Sequence, residues 1–309
     1  MSLRVLEPGL CSLLVDQGRL GHRNLGVPLG GAADRWSLTL GNALVGNLPD
    51  ALALEISLAG PSLRAEGQVA CVLCGAPFSM MCNDRYRVVG TTFTLQAGDE
   101  LTIGGTTTGM RAYLCVRGGF TAPAILGSRS SLEPIRAGAE LPCLAGRIHG
   151  RFLRDLPFAS PTVLRVLPGL QADWFDMAEF LLQEYTVTPA SNRMGLRLDA
   201  TPLTFNDPGR EMSSEPVSPG AVQVTRDGRC ILLGVDGQTI GGYPKIAHVI
   251  QADLDAVGQL RPGDHFRFVR VDLAEARRAY LKRCADLDDW VKRLRTSLEG
   301  WRGLSPVNM

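Results

Sequence analysis

The stretch from residue 69 to 117 constrains the fold most. It breaks into QVACVLC, RYRVV, TTFTL, ELTI and MRAYLCV, short apolar or alternating runs parted by Asn83, Asp84 and glycines. Runs this short, with turn residues recurring this often, predict successive strands of an all-β barrel or sandwich rather than alternating βαβ units. The 35 glycines and 19 prolines among 309 residues suit a chain so rich in turns. A turn-plus-strand unit also recurs, as QAGDELTI (96–103), RAGAELPC (136–143) and RPGDHFRF (261–268), the first and last at similar depths in the two halves. That repetition predicts two related β-barrel-like domains. The seam falls in the proline-bearing RFLRDLPFASP (151–161), giving domains over 1–155 and 156–272 and an extension over 273–309.

Three segments read as helices. One follows Asp34 as N-cap, with Trp36, Leu40 and Leu44 on one face and Gly46-Asn47 as its stop. A second follows Asp173, where Trp174, Ala178, Leu181, Leu182 and Tyr185 share a face. The third is a C-terminal amphipathic helix. Tyr280, Cys284, Leu287, Val291, Leu294 and Leu298 form its stripe, Arg, Lys and Asp fill the opposite face, and it is expected to lie across its own barrel.

Composition removes several classes. With 45% apolar and 20% charged residues the chain buries enough surface to fold, and no apolar run approaches a bilayer span. A net charge of +1 offers no footprint for nucleic acid. MSLRVLEPGL has no signal-peptide pattern, so a cytoplasmic protein with reduced thiols is expected. Cys71 and Cys74 have CxxC spacing, but they lie in an apolar strand where i and i+3 face opposite ways; core thiols are expected and no metal site.

Nucleotide loops, HExxH, the GxSxG elbow and a Met-Lys-Met biotin site do not occur. The histidines at 22, 149, 248 and 265 are scattered and read as structural or surface groups. Lysine usage is more telling: 29 of 32 basic residues are Arg, and two of the three lysines, Lys282 and Lys292, sit on the polar face of the last helix. The third, Lys245, follows a glycine-rich turn in GQTIGGYPKIAHV and opens an apolar strand. A compact ammonium retained there suits a small anion, although a solvated strand end explains it equally well. Before it, Asp236, Gln238 and Thr239 bring a carboxylate, an amide and a hydroxyl to a turn at Gly241 and Gly242, and Tyr243 adds a flat face. A second cluster joins Arg193 and Arg197 to Ser213, Ser214 and Glu215; arginine suits a carboxylate ligand, and Arg with Glu is also a common structural ion pair.

The ordered set VDQGRLGHRNLGVPLGGAADRW, ALEISLAGPSL, RAYLCVRGGF, EYTVTPASNRMGLRL, SSEPVSPGAVQV and GQTIGGYPKIAHVIQADL resembles the allophanate hydrolase subunit 2 family over about residues 5 to 272. This family is also called the biotin-dependent carboxyltransferase family and includes the C component of the bacterial 5-oxoprolinase. The resemblance implies a pair of cyclophilin-like β-barrel domains. It further implies a partner of the allophanate hydrolase subunit 1 type, the B component of the oxoprolinase. For the oxoprolinase it also implies a LamB/YcsF-type A component, the assembly opening 5-oxo-L-proline to glutamate with ATP. The site within that holoenzyme that takes ATP is not implied.

Three functions are compatible with the resemblance. The first is the C component of 5-oxoprolinase, favoured because the chain carries no biotin carrier or carboxylase domain. The second is a carboxyltransferase acting on urea or a related amide, with biotin supplied in trans. The third is a non-catalytic antagonist that sequesters the partner of a sensor kinase. For a small amide substrate the expected catalytic residues are Lys245, Glu215 and Asp236, and the expected substrate-binding residues are Arg193, Ser214, Gln238, Thr239 and Tyr243. The family pattern is broken at Ile240, which stands in place of a hydroxyl.

Overall fold

The computed structural model describes residues 1–153 and 161–302, with side chains placed through residue 295. The expected boundary at 155/156 and the Leu298 side chain lie outside the described residues. The chain forms two compact units. One comprises Met1–Gln17, Arg35–Phe158 and Cys284–Met309; the other comprises Gly18–Asp34 and Ala159–Arg283. Both are predominantly β.

In the first unit the runs anticipated between 69 and 117 are strands at Val69–Gly75, Arg85–Tyr86, Phe93–Leu95, Glu100–Ile103 and Arg111–Val116. They belong to a six-stranded sheet, ordered from Glu140–Pro142 through Ser2–Glu7 and Ser62–Ala65 to Arg85–Tyr86, and to a five-stranded sheet centred on Arg111–Val116. The helix Arg35–Val45 ends where Gly46 turns left-handed (φ 82°) and the Asn47 N–H donates to the Asn42 carbonyl at 2.8 Å. Cys71 points into the main core of this unit. Cys74 faces the opposite way, where a Cβ added to helix residue Gly41 would come within 3.0 Å of its own Cβ. Burial raises the Cys71 thiol well above its ordinary pKa and keeps it protonated.

The second unit is a closed barrel of seven strands. In spatial order these are Val163–Pro168, Lys245–Val249, Ala221–Val224, Cys230–Leu233, Gly195–Asp199, Tyr185–Val187 and His265–Arg270. The ring closes through a parallel pairing of Val163–Pro168 with His265–Arg270. Its core is aromatic at one end, where the Phe180 and Phe268 rings stack at 4.8 Å and Phe266 meets Phe268 edge-on at 5.1 Å.

All three recurrent turn units are strands preceded by a left-handed glycine. Gly98, Gly138 and Gly263 have φ of 88°, 81° and 91°, each two residues before the strands Glu100–Ile103, Glu140–Pro142 and His265–Arg270. The second helix is shorter than its sequence pattern predicts. It runs Met177–Leu182, capped by Asp176, whose carboxylate accepts the Ala178 N–H at 2.8 Å. Asp173 lies instead in a short 3-10 turn, and Tyr185 begins a barrel strand. Capping by Asp176 starts the α-helix one turn later than the apolar spacing implies.

The last helix spans Leu273–Arg302. Along its apolar stripe Tyr280 is 39% exposed, Cys284, Leu287 and Val291 are half-buried, and Leu294 is buried. Ala276, at the start of the helix, packs with Ile250, Ala252 and Val271. No helix among the described residues is long and apolar enough to cross a membrane.

Candidate functional site

The site begins with an irregularity in the barrel. Gln223 pairs with Lys245 and Ala221 with His248, yet Val222, between them, pairs with Ala247. Ile246 is therefore an extra residue, a β-bulge. In a regular strand residues three apart face opposite ways. The bulge restores Lys245 and His248 to the face shared by Ala221 and Gln223, away from the barrel core that holds Val222, Ile246 and Ala247.

On that outer face Ala221 and Leu233 form a small apolar cluster with Val217. A two-stranded ribbon, Glu215–Pro216 with Ile240–Gly241, is tied down beside it by the Val217 N–H donating to the Thr239 carbonyl at 2.9 Å. The ribbon delivers Glu215 to Lys245. The ammonium Nζ donates to Glu215 Oε2 at 2.6 Å, with the Lys245 side chain 8% exposed and the Glu215 side chain 38% exposed.

Gln171 organises the pair. Its Nε2 donates to the same carboxylate oxygen at 3.2 Å, while its Oε1 accepts the Lys245 backbone N–H at 3.0 Å. Its own N–H donates to the Lys245 carbonyl at 3.2 Å. Gly169 makes the approach possible, since a Cβ there would strike the Lys245 carbonyl. The hydrogen bond from Lys245, then that from Gln171, holds the Glu215 carboxyl below its ordinary pKa. Both donors converge on Oε2, which leaves Oε1 of a partly exposed carboxylate turned to a ligand or to water.

A second polar layer joins the ribbon to the barrel. The buried Gln223 donates from Nε2 to the Tyr243 carbonyl at 3.3 Å and accepts from Gln238 Nε2 at 3.4 Å. Arg23 donates to the carbonyl oxygens of Val217 and Gln238. Thr239 is buried, Ser214 is exposed, and Tyr243 is 40% exposed.

Arg193 and Asp236 form a pair of their own. The guanidinium grips the carboxylate at two points, Nε to Oδ2 at 2.7 Å and Nη2 to Oδ1 at 3.0 Å, and Nη2 also donates to the Gly31 carbonyl at 2.7 Å. Thus Glu215 meets Lys245 directly, and Gln238 joins the neighbouring layer through Gln223. Arg193 and Asp236, expected from the sequence to bind substrate and to take part in catalysis respectively, engage each other. Gln171, Gln223 and Arg23 were not anticipated. Two are lone amides without a motif, and the third stands in the glycine-rich run VDQGRLGHRNLGVPLGGAADRW.

Residues 25–270 match the family model described as carboxyltransferase domain, subdomain A and B. The chain belongs to this carboxyltransferase family. Among its relatives, the C component of 5-oxoprolinase from Haemophilus influenzae is 36% identical over 285 residues, covering 88% of this chain and 92% of the relative. The Escherichia coli protein of the same name is 33% identical, covering 90% and 94%. The crystal structure of the K. lactis urea amidolyase superposes with a TM-score of 0.85 at 28% identity, over 94% of this chain. The family domain is a small part of that protein: the present chain spans 20% of its length.

Proposed function

We propose that this carboxyltransferase-family chain is the C component of an ATP-dependent 5-oxoprolinase, which opens 5-oxo-L-proline to L-glutamate in the cytoplasm. The observation that carries this reading is the match along 92% of a relative named for that role, against 20% of the urea amidolyase. The assembly would include a B-type component and a LamB/YcsF-type A component, and ATP hydrolysis is assigned to the assembly as a whole.

Within it, Lys245, Glu215 and Gln171 are the groups suited to a lactam. A Glu215 carboxylate kept ionised by its neighbours accepts the amide N–H through Oε1, and the Lys245 ammonium steadies negative charge that develops as the ring opens. Gln171 fixes both. Ser214, Thr239, Gln238 and Tyr243 belong to the surrounding ribbon and turn, where they orient the small substrate. Asp236 and Arg193 act as the brace of that turn. The cyclophilin-like description of both units and the boundary near 155/156 belong to the same reading. The cyclophilin-like description is supported by the closed seven-stranded barrel of the second unit and by the recurring glycine-strand units.

The family description and the urea amidolyase likeness favour a second reading, carboxyl transfer to urea or a related amide. Biotin would supply the carboxyl group from another chain, and Glu215 would orient the acceptor nitrogen. The two readings separate in one experiment. The chain is co-expressed with candidate A-type and B-type components, and glutamate release from 5-oxoproline and ATP is measured with each component omitted in turn. Loss of glutamate on omitting this chain supports the oxoprolinase. An assembled complex that releases none overturns it and directs assays to carboxylation, then to sequestration of a kinase-regulating partner.

A further inference from the structure

The bulge that turns Lys245 to the outer face also presents His248, and the imidazole has a partner there. Ser218 Oγ lies 2.8 Å from His248 Nε2, and His248 Nδ1 lies 3.0 Å from the Val249 carbonyl oxygen. A carbonyl oxygen only accepts, so Nδ1 carries the ring proton. Nε2 is then the bare acceptor, and the serine hydroxyl donates to it. A hydroxyl, a base aimed at its proton and a third group fixing the tautomer of the base are the three elements of an activated serine. The backbone carbonyl does here what a carboxylate does in other such sites.

The surrounding chain is shaped around this contact. Ser218 is followed by Pro219 and by Gly220, which is left-handed at φ 91°. A Cβ at Gly220 would stand 3.2 Å from His248 Cε1 and 2.7 Å from Leu254 Cδ2, so glycine leaves the space that the ring occupies. Ser218 and His248 are both half-buried, within reach of solvent on the outer face of the barrel. Lys245 pairs with Gln223 two positions along from the Ala221–His248 pair. Rows so related are about 7 Å apart, so Lys245 and His248 stand near one another on the same outer face.

We propose that Ser218 is a base-activated nucleophile toward acyl donors, substrates with an electrophilic carbonyl and a leaving group. Ser218 Oγ bonds to the carbonyl carbon as its proton passes to His248 Nε2. The bond to the leaving group then breaks, the leaving group taking that proton. Water then gives a proton to the same nitrogen as its oxygen bonds to the acyl carbon; the bond from that carbon to Ser218 Oγ breaks, Oγ takes the proton back from His248, and the acyl group leaves as a carboxylic acid. This activity needs neither a partner protein nor ATP, so it stands or falls separately from the oxoprolinase reading.

The test treats the full-length chain alone with a fluorophosphonate and maps adducts by peptide mass spectrometry. The serine oxygen displaces fluoride from phosphorus in the same first step. Ser213 and Ser214, exposed in the same protein, serve as internal references. The expected result is labelling of Ser218 on the order of 10²-fold faster than of either reference, lost in His248→Gln with the fold intact by circular dichroism. Absence of a Ser218 adduct, labelling no faster than the references, or undiminished labelling in folded His248→Gln overturns the proposal. Should His248→Gln not fold, the ratio in the unaltered chain decides alone.

Discussion

Glu215 and Lys245, 30 positions apart in the chain, meet at 2.6 Å on the outside of a β-barrel because one extra residue in a strand turns the lysine outward. The lysine is nearly closed off, while its carboxylate partner stays open on one side. Lys245→Ala is expected to reduce activity of the assembled complex on the order of 10²-fold, as for a lost charge-stabilising donor. The protein should remain folded. Lys245→Arg should not rescue, because a planar fork does not occupy the place of a point charge. Steady-state glutamate release from purified complexes checks both, and full activity in folded Lys245→Ala would remove the lysine from the site.

The pH behaviour follows from the same contact. Glu215 has a folded-state pKa below its ordinary 4.5, owed first to Lys245 and then to Gln171. The folded protein thus binds this proton less readily than the unfolded chain. The stabilising contribution is complete above the ordinary range and lost as pH falls through the lowered folded value. Titration of the Glu215 side-chain carbon by NMR should give a midpoint below 4.5. Lys245→Met should move that midpoint upward, and Gln171→Leu should move it upward by less.

Arg193 and Asp236 brace the turn through two parallel hydrogen bonds and a third to Gly31. Asp236→Asn leaves the guanidinium with one strong acceptor fewer, at an expected cost of about 1–3 kcal/mol. Arg193→Lys should cost a comparable amount, and the double variant should cost less than the two together. Chemical denaturation of the four proteins closes the cycle. Additive losses would show that the pair is not an energetic unit.

Adjacent glycines in the ribbon turn should respond differently to a methyl group. At Gly241 a Cβ would lie 2.6 Å from Nε2 of the buried Gln223, whose amide is already held by Tyr243 and Gln238. At Gly242 the nearest atom is the hydroxyl of exposed Ser214 at 3.3 Å. Gly241→Ala should destabilise by about 1–3 kcal/mol, and Gly242→Ala should stay within about 0.5 kcal/mol. Thermal unfolding of both variants distinguishes a turn tuned to Gln223 from one that merely needs small residues.

Local chemistry explains what could be read from the sequence. Strand runs and left-handed glycines leave a short-range signature, so Val69–Gly75, Arg111–Val116 and the three glycine-strand units were legible. Lys245 stood out because the chain otherwise prefers arginine, and Glu215 because it shares a segment with serines. The bulge at Ile246 left no such mark, since KIAHV reads equally well as a regular strand. Gln171 was invisible for a related reason. A single amide after LPGL gains its meaning only when closure of the barrel carries it to Lys245, 74 residues away. Asp173 looked like a cap because the apolar spacing began there, whereas the hydrogen bond that decides the helix start belongs to Asp176.

The second unit is assembled from two stretches that leave the ribosome far apart in time. Residues 18–34 are synthesised long before the residues they join, among them Val235, whose carbonyl accepts the Gly30 N–H, and Gln259, whose amide donates to Asp34. Until translation reaches those residues, the hydrogen bonds of Gly30, Gly31 and Asp34 to Val235, Arg193 and Gln259 cannot form. A fragment beginning at residue 159 would lack this segment permanently, with the Arg193 hydrogen bond to Gly31 and the Gln259 bond to Asp34 both unmade. Gene fusions or truncations that split the protein at its midpoint therefore divide one of its units as well.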